Sequence, residues 1–353
     1  MAKKILVVDD SALIRKQLGT LFDKNGYDVG FAKDGAEALE FIKSIDFDVI
    51  TMDINMPIMD GLSAVKHIMA VRPTPIIMVS SLTQDEADIT FEALDLGAID
   101  YISKPGTMTL DIAKQEADIL EKVKTASLIE KNRLLIRKKA TQKKLNLREQ
   151  SKAVPKSEFL SNSKLVLIGA STGGPGLIEE ITTSIPKNYP YPICIVQHMP
   201  ESFTANFAMR LNRKSALEVL ESKSGDTLES GKCIIAKGGW HLHFAQKSSG
   251  HVTLKHVPNS MGHFFCPSID EMFFSAAKVF VPKNLLVIEL TGIGDDGANG
   301  MVELKKRGAY TIGESDETAV VYGMPKEAFT RGGVVKQLPF PKILTEILKF
   351  GDT

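Results

Sequence analysis

A serine, a histidine and an aspartate each follow an apolar segment in the second half of the sequence. They are Ser171, His198 and Asp296, and the apolar segments before them cover residues 165–168, 192–197 and 285–290. If these segments are parallel strands, their carboxyl ends meet at one edge of a sheet, so the three side chains could converge there. A nucleophile, a general base and an acid that orients the base form a hydrolase triad, which is recognised by roles and not by chain order.

The turn around Ser171 supports more than one interpretation. Residues 169–176 read Gly-Ala-Ser-Thr-Gly-Gly-Pro-Gly, and Pro175 suits the first turn of a helix that continues with Leu177, Ile178 and Ile181. A glycine-rich turn between strand and helix can cradle phosphate, but no Lys-Ser/Thr follows and the G-x-G-x-x-G spacing is absent. A nucleophile turn, whose helix N–H groups hold an oxyanion, competes with a purely structural turn.

Each member of this trio also has a structural interpretation by itself. A serine in a glycine turn, a histidine at a strand end and an aspartate before glycine are common without any catalytic role. Their joint placement at three strand ends favours a serine hydrolase.

A second set of reactive side chains follows apolar segments in the first third of the chain. The set consists of Asp9, Asp10, Asp53, Ser80 and Lys104. Three neighbouring carboxylates repel one another, and an all-oxygen ligand set suits Mg²⁺. Asp53 could accept a phosphoryl group, with Ser80 and Lys104 pairing with the added oxygens. A single aspartate would be a solvated loop residue, but the whole set favours a site.

The elements that must position these residues alternate between strand and helix. In the first third, strands are predicted at 5–8, 27–31, 48–52, 76–79 and 101–102. Helices are predicted after a Ser11 cap and at 36–45, 62–71 and 86–96; the second half adds helices near 203–211 and 298–307. This alternation predicts an α/β protein with two doubly wound parallel-sheet domains.

The overall composition excludes several classes of protein. The chain has 353 residues, a length that suggests about two domains, and Lys+Arg equals Asp+Glu at 43 each. The balanced charge gives no global signal for nucleic acid or acidic membranes. Three scattered cysteines, Cys194, Cys233 and Cys266, form no framework and fit a reducing cytoplasm. No signal peptide and no membrane span is indicated, so a cytoplasmic location is predicted.

Residues 122–163 differ in character from the sequence on either side. Basic residues crowd 131–144, and Pro155 and several serines follow. The start of this stretch could prolong the last helix of the first domain, and the rest is predicted to be a linker. A basic run could also contact nucleic acid, as in a transcription factor, but no recognition-helix pattern follows it.

Residues 1–121 resemble the receiver domain of two-component response regulators. The resemblance is carried by Val-Val-Asp9-Asp10-Ser, Met-Asp53-Ile-Asn-Met-Pro57, Met-Val-Ser80-Ser and Tyr101-Ile-Ser-Lys104-Pro105. It implies a flavodoxin-like fold, phosphorylation at Asp53, and Mg²⁺ held by Asp9, Asp10 and Asp53. It also implies that Ser80, Lys104 and Tyr101 act in receiver activation, with Tyr101 in the place of an aromatic that changes rotamer.

From Lys164 to about Leu338 the chain resembles the catalytic domain of the CheB family, the chemotaxis protein-glutamate methylesterases, and residues 164–353 are assigned to this domain. The motifs are Ile168-Gly-Ala-Ser171-Thr-Gly-Gly, Gln197-His198-Met-Pro200, Pro267-Ser-Ile-Asp270, Leu290-Thr-Gly-Ile-Gly-Asp-Asp296-Gly and Val321-Tyr-Gly-Met-Pro325. The resemblance implies a Rossmann-like α/β esterase domain with Ser171 as nucleophile, His198 as base and Asp296 as the orienting acid. It places backbone N–H donors for the oxyanion at Thr172 and Ile293, and it implies no cofactor for the esterase step.

The resemblance also implies a biological role. The expected reaction is hydrolysis of glutamate methyl esters on methyl-accepting chemotaxis receptors, with glutamine deamidation in some members. The expected partners are a histidine kinase as phosphodonor and the receptors as substrate, with no nucleic acid and no membrane embedding. In the family the unphosphorylated receiver covers the active-site face, and phosphorylation relieves this. The alternative from another class is a phospho-controlled binding protein without esterase activity.

Three features depart from the family pattern. Ile293 stands where methionine is usual, Lys237 lies in a turn that often contains proline, and residues 261–266 replace a shorter form. These positions are expected to border the substrate groove, so they bear on substrate preference more than on catalysis.

One rival site is a zinc centre. It would use His241, His243, His263 and Cys266, whose spacing is loose for a metal site. A histidine such as His243 on an alternating strand more often faces solvent or core, so this alternative is the less favoured one.

Overall fold

The computed structural model describes residues 2–81, 83–104, 112–129 and 159–352. The chain divides into two compact units, Met1–Lys143 and Lys144–Thr353, which we call the N-terminal and C-terminal units. Most of the predicted linker, including the whole of its basic run at 131–144, lies outside the described residues. In the part of the chain that the structure describes, no helix is long and apolar enough to cross a membrane.

The N-terminal unit is a five-stranded parallel sheet with the strand order β2-β1-β3-β4-β5. Its strands are β1 (Lys4–Val8), β2 (Asp28–Ala32), β3 (Val49–Asp53), β4 (Ile76–Ser80) and β5 (Asp100–Ser103). Its helices are α1 (Ala12–Lys24), α2 (Gly35–Ser44), α3 (Gly61–Val71), α4 (Gln84–Leu96) and α5 (Ile112–Ala126). The predicted strand and helix alternation is confirmed.

Side-chain caps fix where these helices begin. Ser11, Asp34, Asp60 and Thr83 each accept the N–H three residues ahead, which satisfies one of the free donors at a helix start. At the other end of the unit, α5 continues to Ala126, five residues into the segment that the sequence assigned to the linker. The last helix of the N-terminal unit therefore continues into that segment.

The C-terminal unit contains a seven-stranded sheet, ordered β14-β13-β12-β6-β7-β9-β8, and a separate antiparallel hairpin, β10-β11. The strands are β6 (Leu165–Ala170), β7 (Ile193–Gln197), β8 (Glu218–Glu221), β9 (Lys232–Ile235), β10 (His241–Gln246), β11 (Val252–Val257), β12 (Leu285–Glu289), β13 (Tyr310–Glu314) and β14 (Lys336–Leu338). The helices are α6 (Gly174–Ser184), α7 (Glu201–Lys214), α8 (Ile269–Val279), α9 (Ala298–Lys306), α10 (Met324–Thr330) and α11 (Phe340–Gly351).

The three strands that precede the predicted trio lie side by side in the centre of this sheet. All strand pairings in the sheet are parallel, and β6 lies between β12 and β7. Every residue of these three strands is buried, which explains their continuous apolar runs. The second doubly wound domain is confirmed, and its strand ends meet at one edge as predicted. The antiparallel hairpin is an addition that the strand-and-helix alternation did not predict.

Two buried glutamates on adjacent strands of this sheet have opposite surroundings. Glu314 accepts hydrogen bonds from Thr291 N at 2.9 Å and Thr318 Oγ1 at 2.9 Å. Both carboxyl oxygens of Glu289 are buried and lack a partner in the described part of the chain. Burial, followed by the charges of Asp296 and Asp270, raises the pKa of Glu289 well above its ordinary 4.5. Burial without a donor therefore favours the protonated form of Glu289.

This contrast predicts opposite effects of the same substitution. Because the folded state holds a proton on Glu289 that the unfolded state releases above about pH 4.5, stability falls as the pH rises. Glu289→Leu is expected to stabilise the C-terminal unit by roughly 1–3 kcal/mol at neutral pH, with a larger gain at pH 8 than at pH 5. Scanning calorimetry of the full chain measures this shift.

Glu314→Leu is the matched control and is expected to destabilise the same transition, because it leaves the buried Thr291 N–H without its acceptor. A loss of stability in Glu289→Leu, equal at both pH values, would contradict a protonated, unpaired Glu289.

Candidate active site

Ser171 and His198 are brought together by the pairing of β6 with β7. Ala170 pairs with Gln197, so the residues that follow the two strands stand next to each other. Neighbouring strands lie about 4.8 Å apart, and His198 N donates to Ala170 O at 3.0 Å. Ser171 N in turn donates to Thr291 O at 3.0 Å, which ties the turn to the segment that follows β12.

The turn after Ser171 requires glycine because other groups approach its backbone closely. A Cβ at position 174 would clash with Gln197 Oε1 and lie 2.8 Å from the Ala170 Cβ. Gly173 has a φ of 80°, a left-handed conformation that glycine adopts without strain, and it caps α6. This geometry leaves Ser171 at the start of a helix, directly beyond a buried strand.

Asp296 is joined to His198 and held at the amino end of α8. His198 Nε2 and Asp296 Oδ2 are 2.8 Å apart. The carboxylate also accepts from Ser268 Oγ at 2.8 Å, Ile269 N at 2.8 Å and Asp270 N at 3.0 Å. These donors suit an anion, since a helix amino terminus carries partial positive charge.

The surroundings of Asp296 determine its charge. Burial by itself would raise the pKa, but the hydrogen bond and charge of His198, with the N–H groups of Asp270 and Ile269, outweigh burial. The pKa of Asp296 falls from 3.8 to about 2. Asp296 is therefore a carboxylate at neutral pH and can orient the imidazole.

The second imidazole nitrogen is the one available for proton exchange. His198 Nδ1 is buried and makes no hydrogen bond among the residues described. The Ser171 hydroxyl is not hydrogen-bonded to His198 in the same part of the chain, although the two residues are adjacent. Such bonds are often looser before substrate binds.

Several contacts around the trio were not predicted from the sequence. Gln197 Nε2 donates to Ser171 O at 3.0 Å and to His198 O at 3.2 Å, so one amide joins the nucleophile and the base. Phe265 stacks on the His198 imidazole with ring centroids 3.9 Å apart and an interplanar angle of 11°. Gln197 could have been found from the sequence, because it is a polar residue at the end of an otherwise apolar strand. No sequence pattern indicated the contacts of Phe265 or Ser268.

The three departures from the family pattern occupy different surroundings. A Cβ on Gly292 would lie 2.7 Å from the Ser171 Cβ, so the loop that contains Ile293 packs against the nucleophile. Residues 261–266 approach the base through Phe265. Lys237 instead contacts Glu201, with Nζ 3.3 Å from the carboxylate.

The zinc alternative finds no support. His243 Nε2 and His263 Nε2 lie 2.7 Å and 3.2 Å from Glu271, so both bind the same carboxylate. His241 Nδ1 accepts from Ser268 N at 3.0 Å, which fixes its tautomer, and burial lowers its pKa. Within the described residues, the one cluster of His, Cys, Asp or Glu with ligand spacing lies in the N-terminal unit, not here.

That cluster is the predicted acidic site. Asp9, Asp10 and Asp53 offer carboxylate oxygens within 4.8 Å of one another. Lys104 Nζ lies 2.8 Å from Asp53 Oδ1, while Asp9 Oδ2 and Asp53 Oδ2 are buried without partners among the described residues. Burial, then the charge of Asp53, raises the pKa of Asp9 to about 6. The excess negative charge and unpaired oxygens fit a bound cation.

The remaining receiver residues have specific partners in this structure. Ser80 Oγ donates to Glu86 Oε2 at 2.9 Å, and Ser81 N donates to the same oxygen at 2.7 Å. Tyr101 is buried, with Lys122 Nζ 5.1 Å from its ring centroid and 2.9 Å from its carbonyl oxygen. Glu86 and Lys122 were not singled out from the sequence.

Comparison with known proteins gives matches in both units. The family model "CheB methylesterase" matches residues 166–347, and "Response regulator receiver domain" matches residues 5–113. A relative from Carboxydothermus hydrogenoformans, "Protein-glutamate methylesterase/protein-glutamine glutaminase 2", is 46% identical and covers 98% of each chain. A relative from Caldanaerobacter subterraneus with the same activity name is 42% identical, covering 99% of this chain and 97% of its own.

A solved structure gives a corresponding match to the C-terminal unit. The Thermotoga maritima CheB methylesterase catalytic domain is 36% identical and has a TM-score of 0.51. It covers 53% of this chain and 98% of that domain.

The Asp296 environment makes a prediction about its titration. In His198→Ala the first lowering influence on the Asp296 pKa is lost while burial remains, so the pKa is expected to rise from about 2. Carbon-13 NMR of the Asp296 carboxyl carbon measures this shift. His251→Ala, in the β10–β11 hairpin, is the control and should leave the titration in place; an unchanged pKa in His198→Ala would contradict the arrangement.

Proposed function

We propose, since this chain belongs to the CheB methylesterase family, that it is a serine esterase that hydrolyses glutamate methyl esters of chemotaxis receptors under the control of receiver phosphorylation. The observation that carries the proposal is the His198–Asp296 hydrogen bond, made beside Ser171 at the end of adjacent strands. The names of the relatives include protein-glutamine glutaminase, and we extend the proposal to receptor glutamines, whose amides would use the same acyl intermediate.

The proposed reaction begins with His198 as general base. Its Nδ1 takes the Ser171 proton, Ser171 Oγ attacks the ester carbonyl carbon, and the methoxide leaves as methanol after accepting that proton. His198 then takes a proton from water, whose oxygen attacks the acyl carbonyl carbon. The bond from that carbon to Ser171 Oγ breaks, Oγ takes the proton back from His198, and the free glutamate side chain leaves and ionises to a carboxylate. Asp296, ionised at neutral pH, holds the imidazole tautomer and stabilises the imidazolium in both steps.

The oxyanion would be held by backbone N–H groups of Thr172 and Ile293. Thr172 is the residue after the nucleophile, as in other strand-to-helix nucleophile turns. The loop of Ile293 packs directly on Ser171, and the N–H of Ile293 has no hydrogen bond in the described part of the chain. Because a backbone N–H is common to all non-proline residues, isoleucine in place of methionine is compatible with this role.

The N-terminal unit would supply the control. Asp9, Asp10 and Asp53 fit Mg²⁺, since two of their buried oxygens are unpaired and their combined charge requires a cation. The bound ion would neutralise charge on a phosphoryl group during its transfer to Asp53. Lys104 is already at Asp53, and Ser80 would exchange its bond to Glu86 for one to a phosphoryl oxygen.

The expected partners follow from the two units. A histidine kinase of a chemosensory pathway would donate the phosphoryl group to Asp53, and methylated receptors would be the substrate. We place both encounters in the cytoplasm. A phospho-controlled binding protein without catalysis is the competing function, and no contact in the described residues favours it over the esterase.

The first test of this proposal is methanol release from methylated receptor membranes. Ser171→Ala is expected to reduce the rate by at least about 10⁴-fold because it removes the nucleophile, and Asp296→Asn by about 10⁴-fold because it no longer fixes the tautomer. Ser248→Ala, an exposed serine in the β10–β11 turn, is the control and should retain the full rate. Methanol release that survives in Ser171→Ala would exclude this mechanism.

The second test concerns control by Asp53. Wild type is expected to release methanol faster after addition of a small phosphodonor with Mg²⁺, whereas Asp53→Ala should keep its basal rate. Asp28→Ala, an exposed aspartate on β2, should respond as wild type does. An equal response in Asp53→Ala would remove Asp53 from the phosphorylation role while leaving the esterase proposal intact.

A further inference from the structure

We infer that Phe265 is a positioning residue for the general base, acting through the face of the His198 imidazole. The inference rests on the proposed esterase function and adds a residue to it. The observation is the stacked contact, with ring centroids 3.9 Å apart and planes inclined by 11°. This is the separation of two aromatic rings in direct contact over their faces.

The hydrogen bond to Asp296 does not by itself fix the plane of the imidazole. The Cβ–Cγ bond holds Cγ and the hydrogen bond holds Nε2, but the ring plane can still turn about the line between these two atoms. Nδ1 carries no hydrogen bond in the described part of the chain, so it does not restrain the plane. Phe265 covers one face of the ring and fixes the plane, which aims Nδ1 in a constant direction.

Phe265 can do this because its own segment is held on both sides. Its ring meets Phe264 edge-on, with centroids 4.9 Å apart and planes inclined by 83°. Before it, Asn259 forms two hydrogen bonds of 2.8 Å with the His263 backbone. After it, Gly239 N donates to Cys266 O at 3.1 Å. The aromatic ring is therefore carried by a loop that is tied to its neighbours.

The contact also favours the charged form that the reaction creates. When Nδ1 takes the serine proton, the imidazole becomes a cation while it lies against the negative face of the Phe265 ring. An aromatic face attracts a cation, and the attraction grows where water is excluded. The His198 side chain is 5% exposed, so the pair meets this condition. The same stack therefore orients the base and stabilises the imidazolium in the transition state.

The test is a set of substitutions at this one position. Phe265→Leu keeps an apolar side chain but removes the aromatic face, and it is expected to lower kcat by about 2- to 30-fold with KM within twofold of wild type. Phe265→Tyr keeps the aromatic ring and is expected to have the kcat of wild type. If the unfolding temperature of Phe265→Leu is lower than that of wild type, Phe265→Met provides a second non-aromatic variant. Phe329→Leu, an exposed phenylalanine on α10, is the matched control.

Two substrates separate this inference from the proposed function. Methylated receptor membranes test the receptor activity, and p-nitrophenyl acetate tests any serine esterase. If wild type cleaves only the small ester, the receptor proposal fails while the role of Phe265 is still measured. If wild type cleaves neither, both proposals are overturned.

A spectroscopic signal reports the stack without turnover. Protons above an aromatic face are shielded, so the His198 ring protons should resonate upfield in wild type and in Phe265→Tyr, and should lose that shift in Phe265→Leu and Phe265→Met. A kcat within twofold of wild type in Phe265→Leu, with the upfield shift lost, would overturn the inference. So would a raised KM at constant kcat, or a loss of kcat in Phe265→Tyr equal to that in Phe265→Leu.

Discussion

The carboxylate of Asp296 is the group on which the C-terminal site depends. Its side chain is only 14% exposed, so its charge is stable only where donors surround it, and four donors do so: one imidazole, one hydroxyl and two backbone N–H groups. The backbone donors exist because α8 begins at Ile269 beside the end of β12. If that helix began elsewhere, the Asp296 carboxylate would lose its backbone donors and would no longer hold the His198 imidazole in place. The catalytic geometry and the packing of α8 are therefore one constraint.

The nearby carboxyl group of Glu289 is buried and shows how the charge of Asp296 affects a neighbour that lacks donors. Glu289 lies close enough for the charge of Asp296 to raise its pKa, and it has no donors among the described residues. A Cβ on Gly297 would clash with its carboxyl group, so the backbone directly after Asp296 packs on an uncharged acid. The pKa values of two carboxyl groups seven residues apart thus shift in opposite directions, and the supply of hydrogen-bond donors decides the direction of each shift.

The sequence predicted the parts of the fold that depend on local pattern. Apolar runs predicted β6, β7 and β12, and parallel pairing of β6 with β7 places Ser171 and His198 side by side. It could not predict the stacking of Phe265 on His198, because that contact joins loops 67 residues apart and neither loop has a periodic pattern. The bond from Ser80 to Glu86 was missed for a related reason. A glutamate in the first turn of a helix is expected by helix electrostatics alone, so its second role carries no signal.

Each unit has its own parallel sheet, and the carboxyl edges of the two sheets have opposite electrostatic properties. In the N-terminal unit, burial and the charge of Asp53 raise the pKa of Asp9 to about 6, and two carboxylate oxygens have no partner among the described residues, so that edge suits a bound cation. In the C-terminal unit, hydrogen-bond donors of the chain itself lower the pKa of a single carboxylate, Asp296, to about 2. A site short of positive charge suits a cation and a transferred phosphoryl group. A site that is already balanced suits a proton shuttle between serine and histidine, which needs no further charge. Parallel strand ends bring residues together, and the donors around each carboxylate determine which chemistry follows.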